Sequence, residues 1–574
     1  MNFGKGGSMS PNAITILIGG EAGQGLATIG QLMAKALTRA GYEVCVTQDY
    51  QSRIRGGHNT FAIRTGPEPV YGPEEGMDIL VALNQETVDR HAAHLKPGGM
   101  VVAGQKVDLD GHPGVQVPFT ELASKAIYHN VAALGVLGST LCGDLGILER
   151  LVSDTFAKKG QEVVDANLEV LRKAYHWFQA QDYSFHCLSP ASEGNAADRI
   201  MLHGNEALAL GALAAGCNFL SFYPMTPSTS IALTLIGKGG ELGLVSEQAE
   251  DEIAALNMAL GASYAGARAC VTTSGGGFSL MVEAVSLAGI TETPVVIFLV
   301  QRPGPATGLP TRTEQADLNL ALYAGHGEFP RALLTPGTVE ECFHLAHWAF
   351  DLTERYQTPV MVLSDQYLAD QYCSVPRFDF ASLPEITPPL LQVDEPGTYQ
   401  RYALSPDGVS PRLIPGYCEA LVKVDSDEHD EMGHIEEGPA NRTAQNEKRL
   451  AKASGLRAEV IPPELFGPEE SDLLLLCWGS GLGACLEAVE LLQERGHKAS
   501  VLHFKQVWPL REDQFMPFLE GAKTVVAVEG NATGQFAGLL RKETGFAVQG
   551  AVLRADGYPL TATYVMQGLE SWIA

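Results

Sequence analysis

The stretch from Phe222 to Leu309 constrains the chain more than any other, because it repeats one unit: an apolar run, a glycine- or proline-rich turn, then a helix-like run. Its first turn is Tyr223-Pro224-Met225-Thr226-Pro227-Ser228-Thr229-Ser230, between the apolar residues Cys217 to Phe222 and the helix-like residues Ser230 to Gly237. Pro224 and Pro227 fix φ around Met225 and Thr226, so the turn is pre-set and the hydroxyls of Thr226, Ser228 and Thr229 gather where a helix begins. Such a place binds anions. A proline turn followed by an ordinary Ser or Thr N-cap accounts for the same residues.

Two further units follow. Leu242 to Val245 reads as a short strand and Glu247 to Ala262 as a helix capped by Ser246. Ile253, Leu256 and Leu260 mark its apolar face, and one turn back Glu250 falls on that face, whereas Asp251 and Glu252 project elsewhere and, with Glu247, complement the helix dipole. A carboxylate aimed into a core is costly unless something takes its charge or its proton, so Glu250 is the acid expected to have a partner. Ala269 to Thr273 is strand-like, Ser274-Gly275-Gly276-Gly277 reads as a loop that lets a ligand approach the backbone, and Phe278 to Ala288 resumes a helix. Val295 to Val300 is a buried-type strand running into Gln301 to Arg312, a Gly/Pro-rich loop at a strand's carboxyl end, where open α/β sheets bind ligands. The loop carries Arg302 and Arg312, whose guanidinium groups suit carboxylate or phosphate.

The order YPMTPSTS, SEQAEDEIAALNMALGAS, TTSGGGFSL and QRPGPATGLPTRTEQADL resembles the alpha subunits of the 2-oxoacid:ferredoxin oxidoreductases, most closely the 2-oxoglutarate type with a gamma domain fused at its front. The resemblance runs from about Ile14 to about Gly545. It implies a thiamine diphosphate enzyme that makes an acyl-CoA and passes electrons one at a time to ferredoxin. It further implies that Glu250 is the carboxylate hydrogen-bonded to the aminopyrimidine, and that Tyr223, Pro224, Ser274, Gly275 and Gly276 border the cofactor. Thr226 and Arg302, with Arg312 as the rival arginine, are implied to hold the substrate carboxylate. One arginine at each end would suit a dicarboxylate such as 2-oxoglutarate; pyruvate and branched-chain or aryl 2-oxoacids are the alternatives. A non-catalytic scaffold that binds CoA or a nucleotide is the reading from another class.

Thiamine enzymes hold the diphosphate through Mg2+ on a G-D-G sequence followed by an Asn, because a hard cation needs oxygen ligands. The nearest match, Gly143-Asp144-Leu145 with Asn167, lacks the last glycine and falls in a helical stretch, so no metal site is expected on this chain. The pyrimidine half of a thiamine site is therefore expected here, with a beta-type subunit supplying the diphosphate contacts, Mg2+ and a 4Fe-4S cluster, and the family implies an α2β2 assembly. Ten cysteines, none in C-x-x-C spacing, read as reduced, buried thiols and place any iron-sulfur cluster elsewhere. The 39 basic and 67 acidic residues give a formal charge of −28, which argues against nucleic acid or anionic membrane as a partner. Met1 to Ser10 has no apolar core of a secretory signal, and the most apolar stretch, Ala207 to Pro224, is broken by Asn218, so a cytoplasmic protein without a membrane span is expected.

In chain order, the expected fold is α/β with three doubly wound or Rossmann-like domains. Residues 12–190 form a gamma-type domain, in which Ile14 to Ile18 feeds a glycine-rich turn and a helix to Ala40. Gly23 and Gly25 in that turn, and Arg53 and Arg55 in Gln51 to His58, are candidates for CoA or phosphate contact; a tight strand-to-helix turn and a solvated basic turn explain them too. Residues 195–380 form the pyrimidine-binding domain. An extended, proline-rich linker region is expected over 381–465, including a solvated acidic run, Asp425 to Glu431, that surrounds His429. Residues 466–574, opening on the strand Leu473 to Trp478, resemble the carboxyl-terminal domain of transketolase-like enzymes.

Overall fold

In the computed structural model the strands collect into three sheets, and the chain divides into two compact units. The structure describes residues 13–21, 24–51, 57–181, 187–191, 198–390, 399–417 and 419–573.

One unit comprises residues up to Leu202 with 370–378 and 561–563. Its eight-stranded sheet runs Gly114–Val117, Leu95–Gly104, Met77–Ala82, Ile14–Glu21, His58–Gly66, Glu43–Asp49, Tyr372–Pro376, Arg199–His203. Ile14–Glu21 pairs parallel with Met77–Ala82 and antiparallel with His58–Gly66, so the sheet is mixed about its central strand. Helices Leu26–Arg39, His129–Thr140 and Gln161–Gln179 supply buried residues to its core. Tyr372–Pro376 enters this sheet from far along the chain, held where Arg199 Nη2 donates to Glu43 Oε2 at 2.5 Å and to Ser374 O at 2.7 Å. A returning strand of this kind is recognised by edge hydrogen bonds, which leave no periodic mark in the sequence.

Cys142 and Cys187 are both exposed and joined in a disulfide, with their Cα atoms 5.0 Å apart, so the expectation of reduced, buried thiols fails at that pair. Cys45, Cys217, Cys270, Cys342, Cys477 and Cys485 are buried thiols; Cys373 is half-buried, and Cys418 lies outside the described residues. Asp144 caps the helix Leu145–Phe156, accepting from Gly146 N at 2.6 Å, and Asn167 donates to Val163 O within its own helix.

The other unit holds the remaining two sheets. The seven-stranded one is ordered Gln506–Trp508, Ala332–Leu334, Pro359–Asp365, Val295–Gln301, Ala269–Thr273, Phe219–Phe222, Val245–Gln248, parallel except for Gln506–Trp508. Its central strands are buried along their length, because both faces are covered. The five-stranded sheet, Glu464–Phe466, Ala499–Phe504, Leu473–Trp478, Thr524–Glu529, Gly550–Leu553, shares one hydrophobic core with it through Leu474, Leu476, Trp478, Leu299 and Leu318.

The stretch expected as an extended linker contains a 20-residue helix, Pro439–Ala458. Its arginines also correct the reading of Asp425 to Glu431 as a solvated run. Glu428 pairs with Arg442 Nη1 at 2.5 Å and Arg449 Nη2 at 2.7 Å, and His429 is fully buried with its ring 3.8 Å from that of Tyr402. The partners lie about one and three helical turns into the following helix, out of view of a reading confined to the acidic run.

Candidate active site

Phe219–Phe222, Ala269–Thr273 and Val295–Gln301 are adjacent and parallel, with Phe222 opposite Thr272 and Thr273 opposite Leu299. Strands that end in register deliver their following turns to one edge of the sheet. Tyr223 to Ser228, Ser274 to Gly277 and the loop from Arg302 therefore meet there, at the carboxyl ends of the strands, where open parallel sheets bind ligands.

The first turn presents its backbone. Ser228 Oγ donates to Met225 O at 2.8 Å and makes no side-chain cap on the helix Thr229–Gly239. Tyr223, Pro224 and Thr226 are exposed, and Thr226 O accepts a hydrogen bond from Arg302 Nη1 at 2.5 Å. Arg302 Nε is buried and has no hydrogen-bond partner. The predicted pair Thr226 and Arg302 thus stands together. Arg312 is directed elsewhere, its guanidinium 4.9 Å from the Tyr558 ring.

The acid expected on the helix face is corrected. Val245–Gln248 is a strand and the helix spans Glu252–Tyr264, capped by Asp251 Oδ1 accepting from Ala254 N at 2.7 Å. Glu250 therefore precedes the helix and is exposed, as is Ile253 at 49%. Glu252 is the buried carboxylate, 4% exposed, on a face completed by Ala255, Leu256, Ala259, Leu260 and Ser263. Small residues make up half of that face, so a search for bulky apolar residues missed it; Asp251, as good a cap as Ser246, was the available signal.

Glu252 Oε1 is buried without a hydrogen-bond partner. A Cβ placed on Gly277 would stand 2.6 Å from it and 2.4 Å from Thr273 Oγ1, so only glycine fits there. Ser274 to Gly277 is also not a free loop: the helix begins at Gly275, with Ser274 at its N-cap position making no cap bond and its buried Oγ unpartnered. A Cβ on Gly275 would lie 2.3 Å from Asp317 Oδ2, and one on Gly276 would lie 3.4 Å from Ala306 O, so the loop after Arg302 closes over this turn. Burial pushes the Asp317 carboxyl up to about 6; Glu314 adds to the rise and Arg302 opposes it.

Gln315, buried in the same loop, is held at four points. Its Nε2 donates to Trp478 O at 3.0 Å, Oε1 accepts from Gly530 N at 2.8 Å, its N–H donates to Gly530 O at 2.6 Å, and its carbonyl accepts from Asn531 Nδ2 at 3.2 Å. The five-stranded sheet thereby fixes the loop that carries Arg302 and Asp317, a link no local pattern announced.

Of the candidate phosphate contacts, Gly25 has φ 83° and its Cα faces the Asn130 side chain, which a Cβ would strike at 1.9 Å. Gly23, Arg53 and Arg55 lie outside the described residues. Among the described residues no group of His, Cys, Asp and Glu is arranged to hold a metal ion, and no helix is long and apolar enough to cross a membrane.

Family models match the same architecture. Residues 15–177 match pyruvate ferredoxin/flavodoxin oxidoreductase, 210–448 the thiamine diphosphate-binding model of pyruvate flavodoxin/ferredoxin oxidoreductase, and 466–562 the transketolase C-terminal domain. The 2-oxoacid:ferredoxin oxidoreductase subunit alpha of a Sulfolobus sp is 32% identical over 606 residues, covering 95% of this chain and 94% of that one. The chain belongs to the 2-oxoacid:ferredoxin oxidoreductase alpha-subunit family. Within that family, the 2-oxoglutarate oxidoreductase subunit KorA of Mycobacterium tuberculosis is 30% identical, covering 98% of this chain and 92% of that subunit. A solved 2-oxoglutarate:ferredoxin oxidoreductase from Magnetococcus marinus, with 2-oxoglutarate, coenzyme A and succinyl-CoA bound, superposes with TM-score 0.92 at 32% identity, covering 98% of this oxidoreductase subunit and 100% of that chain.

Proposed function

We propose that this chain is the alpha-gamma subunit of a thiamine-dependent, CoA-acylating 2-oxoglutarate:ferredoxin oxidoreductase. The reaction is 2-oxoglutarate, CoA and oxidised ferredoxin to succinyl-CoA, CO2 and reduced ferredoxin, or its reverse. The observation that carries the reading is the convergence of unpartnered buried groups, Glu252 Oε1 and Ser274 Oγ, on a glycine turn beside the Arg302–Thr226 pair. Buried polar atoms without partners are rare in finished proteins, and a set of them at one strand edge fits a ligand that supplies the missing donors and acceptors.

An aminopyrimidine ring suits this set because Glu252 Oε1 is a bare acceptor at the glycine turn. Glu252 is then the buried carboxylate placed to hold and exchange a proton with the ring, while Glu250 is exposed on the face proposed for the partner subunit. When bound, thiamine diphosphate supplies the carbon nucleophile and the electron sink for decarboxylation. Arg302 orients the carboxylate of the 2-oxoacid through a charge-assisted hydrogen bond, with the Thr226 segment beneath it. The loop anchored by Gln315 keeps that guanidinium in place and covers the glycine turn.

The remaining contacts belong to a beta-type subunit carrying the diphosphate, Mg2+ and 4Fe-4S sites, with ferredoxin as electron acceptor and CoA as second substrate. Large apolar side chains stand exposed on the helices that follow the site strands and on the edge strand: Leu233, Ile236, Val245, Ile253, Met258 and Leu280. Exposed apolar groups in such number suit a protein interface. A cytoplasmic location accords with this chemistry.

The test is viologen reduction by the assembled complex with 2-oxoglutarate or pyruvate, each with and without CoA. CoA-dependent turnover with 2-oxoglutarate that Glu252→Gln abolishes supports the reading. Turnover with pyruvate alone would change the substrate, and a fully active Glu252→Gln complex would remove the assignment of the carboxylate.

A further inference from the structure

The helix Leu318–Leu322 with the residues after it and the helix Pro439–Ala458 wall a cavity of about 470 Å³, which Trp508, Pro509 and Lys542 complete. None of its lining residues belongs to the turns that follow the site strands. A volume of this size holds a small organic molecule. Leu450, Leu456, Phe329 and Trp508 give it apolar surface, and Arg331, only 7% exposed, brings a charge to them. Arg331 Nη1 donates to Ala324 O at 2.6 Å and Ala321 O at 3.2 Å, and the guanidinium carbon stands 4.4 Å from the centre of the Phe329 ring. Those contacts fix the group but use the donors of one nitrogen. Nε and Nη2 make no hydrogen bond among the described residues and are not sealed atoms, so they open on the cavity.

Among the described residues no carboxylate balances this charge. Glu328, the acid of the lining, is exposed and makes no ion pair there, and burial alone acts on the Arg331 guanidinium, drawing it down to about 10. The other cation of the lining, Lys542, is exposed and has Glu543 Oε1 at 3.2 Å. Arg412, 6% exposed, shows the ordinary arrangement, with Glu354 Oε2 2.9 Å from its Nη2. A buried cation is costly without a counter-charge, so Arg331 stands ready for one.

We propose that this cavity is a binding site for a small organic carboxylate with an aromatic or branched apolar body. The carboxylate pairs with Arg331 through Nε and Nη2, whose parallel N–H bonds match its two oxygens, and the body lies among Leu450, Leu456, Phe329 and Trp508. The fit has two parts: the ligand supplies the charge that the chain leaves out, and its body covers apolar surface that water otherwise wets. No bond forms or breaks, and the site does not depend on the reading of Arg302.

The experiment is saturation-transfer NMR on the assembled complex with phenylacetate as probe and phenylacetamide, of the same shape but uncharged, as its control. Phenylacetate is expected to bind at least about tenfold more tightly than the amide, and Arg331→Gln to weaken the acid by about 10- to 100-fold, the loss of one charged pair. Arg302→Ala is expected to leave this binding unchanged, which separates the cavity from the substrate site. Because Arg331 also holds two backbone carbonyls, the exposed Lys542→Glu serves as a second variant. A reversed charge at the rim repels the anion alone, so it is expected to weaken phenylacetate by about two- to fivefold and to leave the amide as it was. Equal binding of acid and amide, or no binding of the acid to the complex, overturns the proposal without any variant. Binding that is lost in Arg302→Ala, kept in Arg331→Gln or unmoved in Lys542→Glu overturns it as well.

Discussion

Glu292 and Glu252 are both buried carboxylates of the same compact unit, and their surroundings are opposite. Glu292, fully buried after the helix Gly275–Ile290, has Lys448 Nζ at 2.7 Å and Lys452 Nζ at 2.6 Å, and its carbonyl accepts from Arg401 Nη2 at 2.7 Å. Burial alone would raise its carboxyl; Lys452, Lys448 and Arg401 together hold it at about 2. Burial in turn draws Lys448 down to about 8 and lowers Lys452 as well. Glu252 lies at the start of its helix, and its Oε1 makes no hydrogen bond among the described residues. A buried charge whose partners come from its own chain is part of the scaffold, and one left without a partner is complete only when something arrives from outside.

The sharpest way to break that contrast is to neutralise each acid. Glu252→Gln is expected to cost the assembled complex about 10²- to 10⁴-fold in turnover, as for loss of a proton-transferring group, with little change in thermal stability. Glu250→Gln, made in parallel, is expected to stay within about twofold of wild type, since an exposed side chain before the helix makes no such contact. Viologen reduction and a melting curve on both variants decide it; equal losses would erase the distinction between the two glutamates.

Removing a partner from the other cluster should do the reverse. Lys452→Ala leaves Glu292 with an unbalanced buried charge and is expected to lower stability by about 3–5 kcal/mol, read by urea unfolding, without a specific change in KM for the 2-oxoacid. Arg302→Ala should instead raise that KM by about 10- to 100-fold, the loss of one charged hydrogen bond of about 1.5–3 kcal/mol, with unfolding unaffected.

Titration gives the smallest and most selective comparison, because the two regions contribute with opposite signs. The Glu292 carboxyl is held below its ordinary value, so its contribution of about 3 kcal/mol is present above about pH 4.5 and is lost as pH falls toward 2. Glu428, which Arg449 and Arg442 hold at about 2 against the opposing effect of burial, is lost in the same window. Asp317 is held above its ordinary value, so its ionisation weakens the fold as pH rises from about 4 to 6. Asp317→Asn should therefore remove a decline in stability on the alkaline side of pH 4 while leaving acid unfolding unchanged, which denaturant titrations at stepped pH would resolve.

Much of the fold was legible because its signals are local. Ala269–Thr273 and Leu473–Trp478 were bounded correctly from apolar runs, and the turns after the site strands from their Gly and Pro residues. The site was legible to the extent that Thr226, Arg302 and the Ser274 turn follow neighbouring parallel strands. The helix start was misplaced because Ser246 and Asp251 both satisfy the rules for a helix cap, so Glu250 lies before the helix and Glu252 is the buried carboxylate of its first turn. The Glu428 pairs, the disulfide and the Tyr372–Pro376 strand depend on partners that no window along the chain contains.

The sequence by itself determined the succession of strand, turn and helix, and with it the family, because hydrophobic periodicity and turn chemistry act between residues close along the chain. Only the tertiary structure decided which polar groups are satisfied. Lys448 meets Glu292 across 156 residues, and Arg302 reaches Thr226 across 76, while Glu252 Oε1 and Asp317 Oδ2 find no donor. Whether a buried carboxylate is balanced or bare depends on what the fold brings within about 3 Å of it, and that distance is set by packing between distant segments.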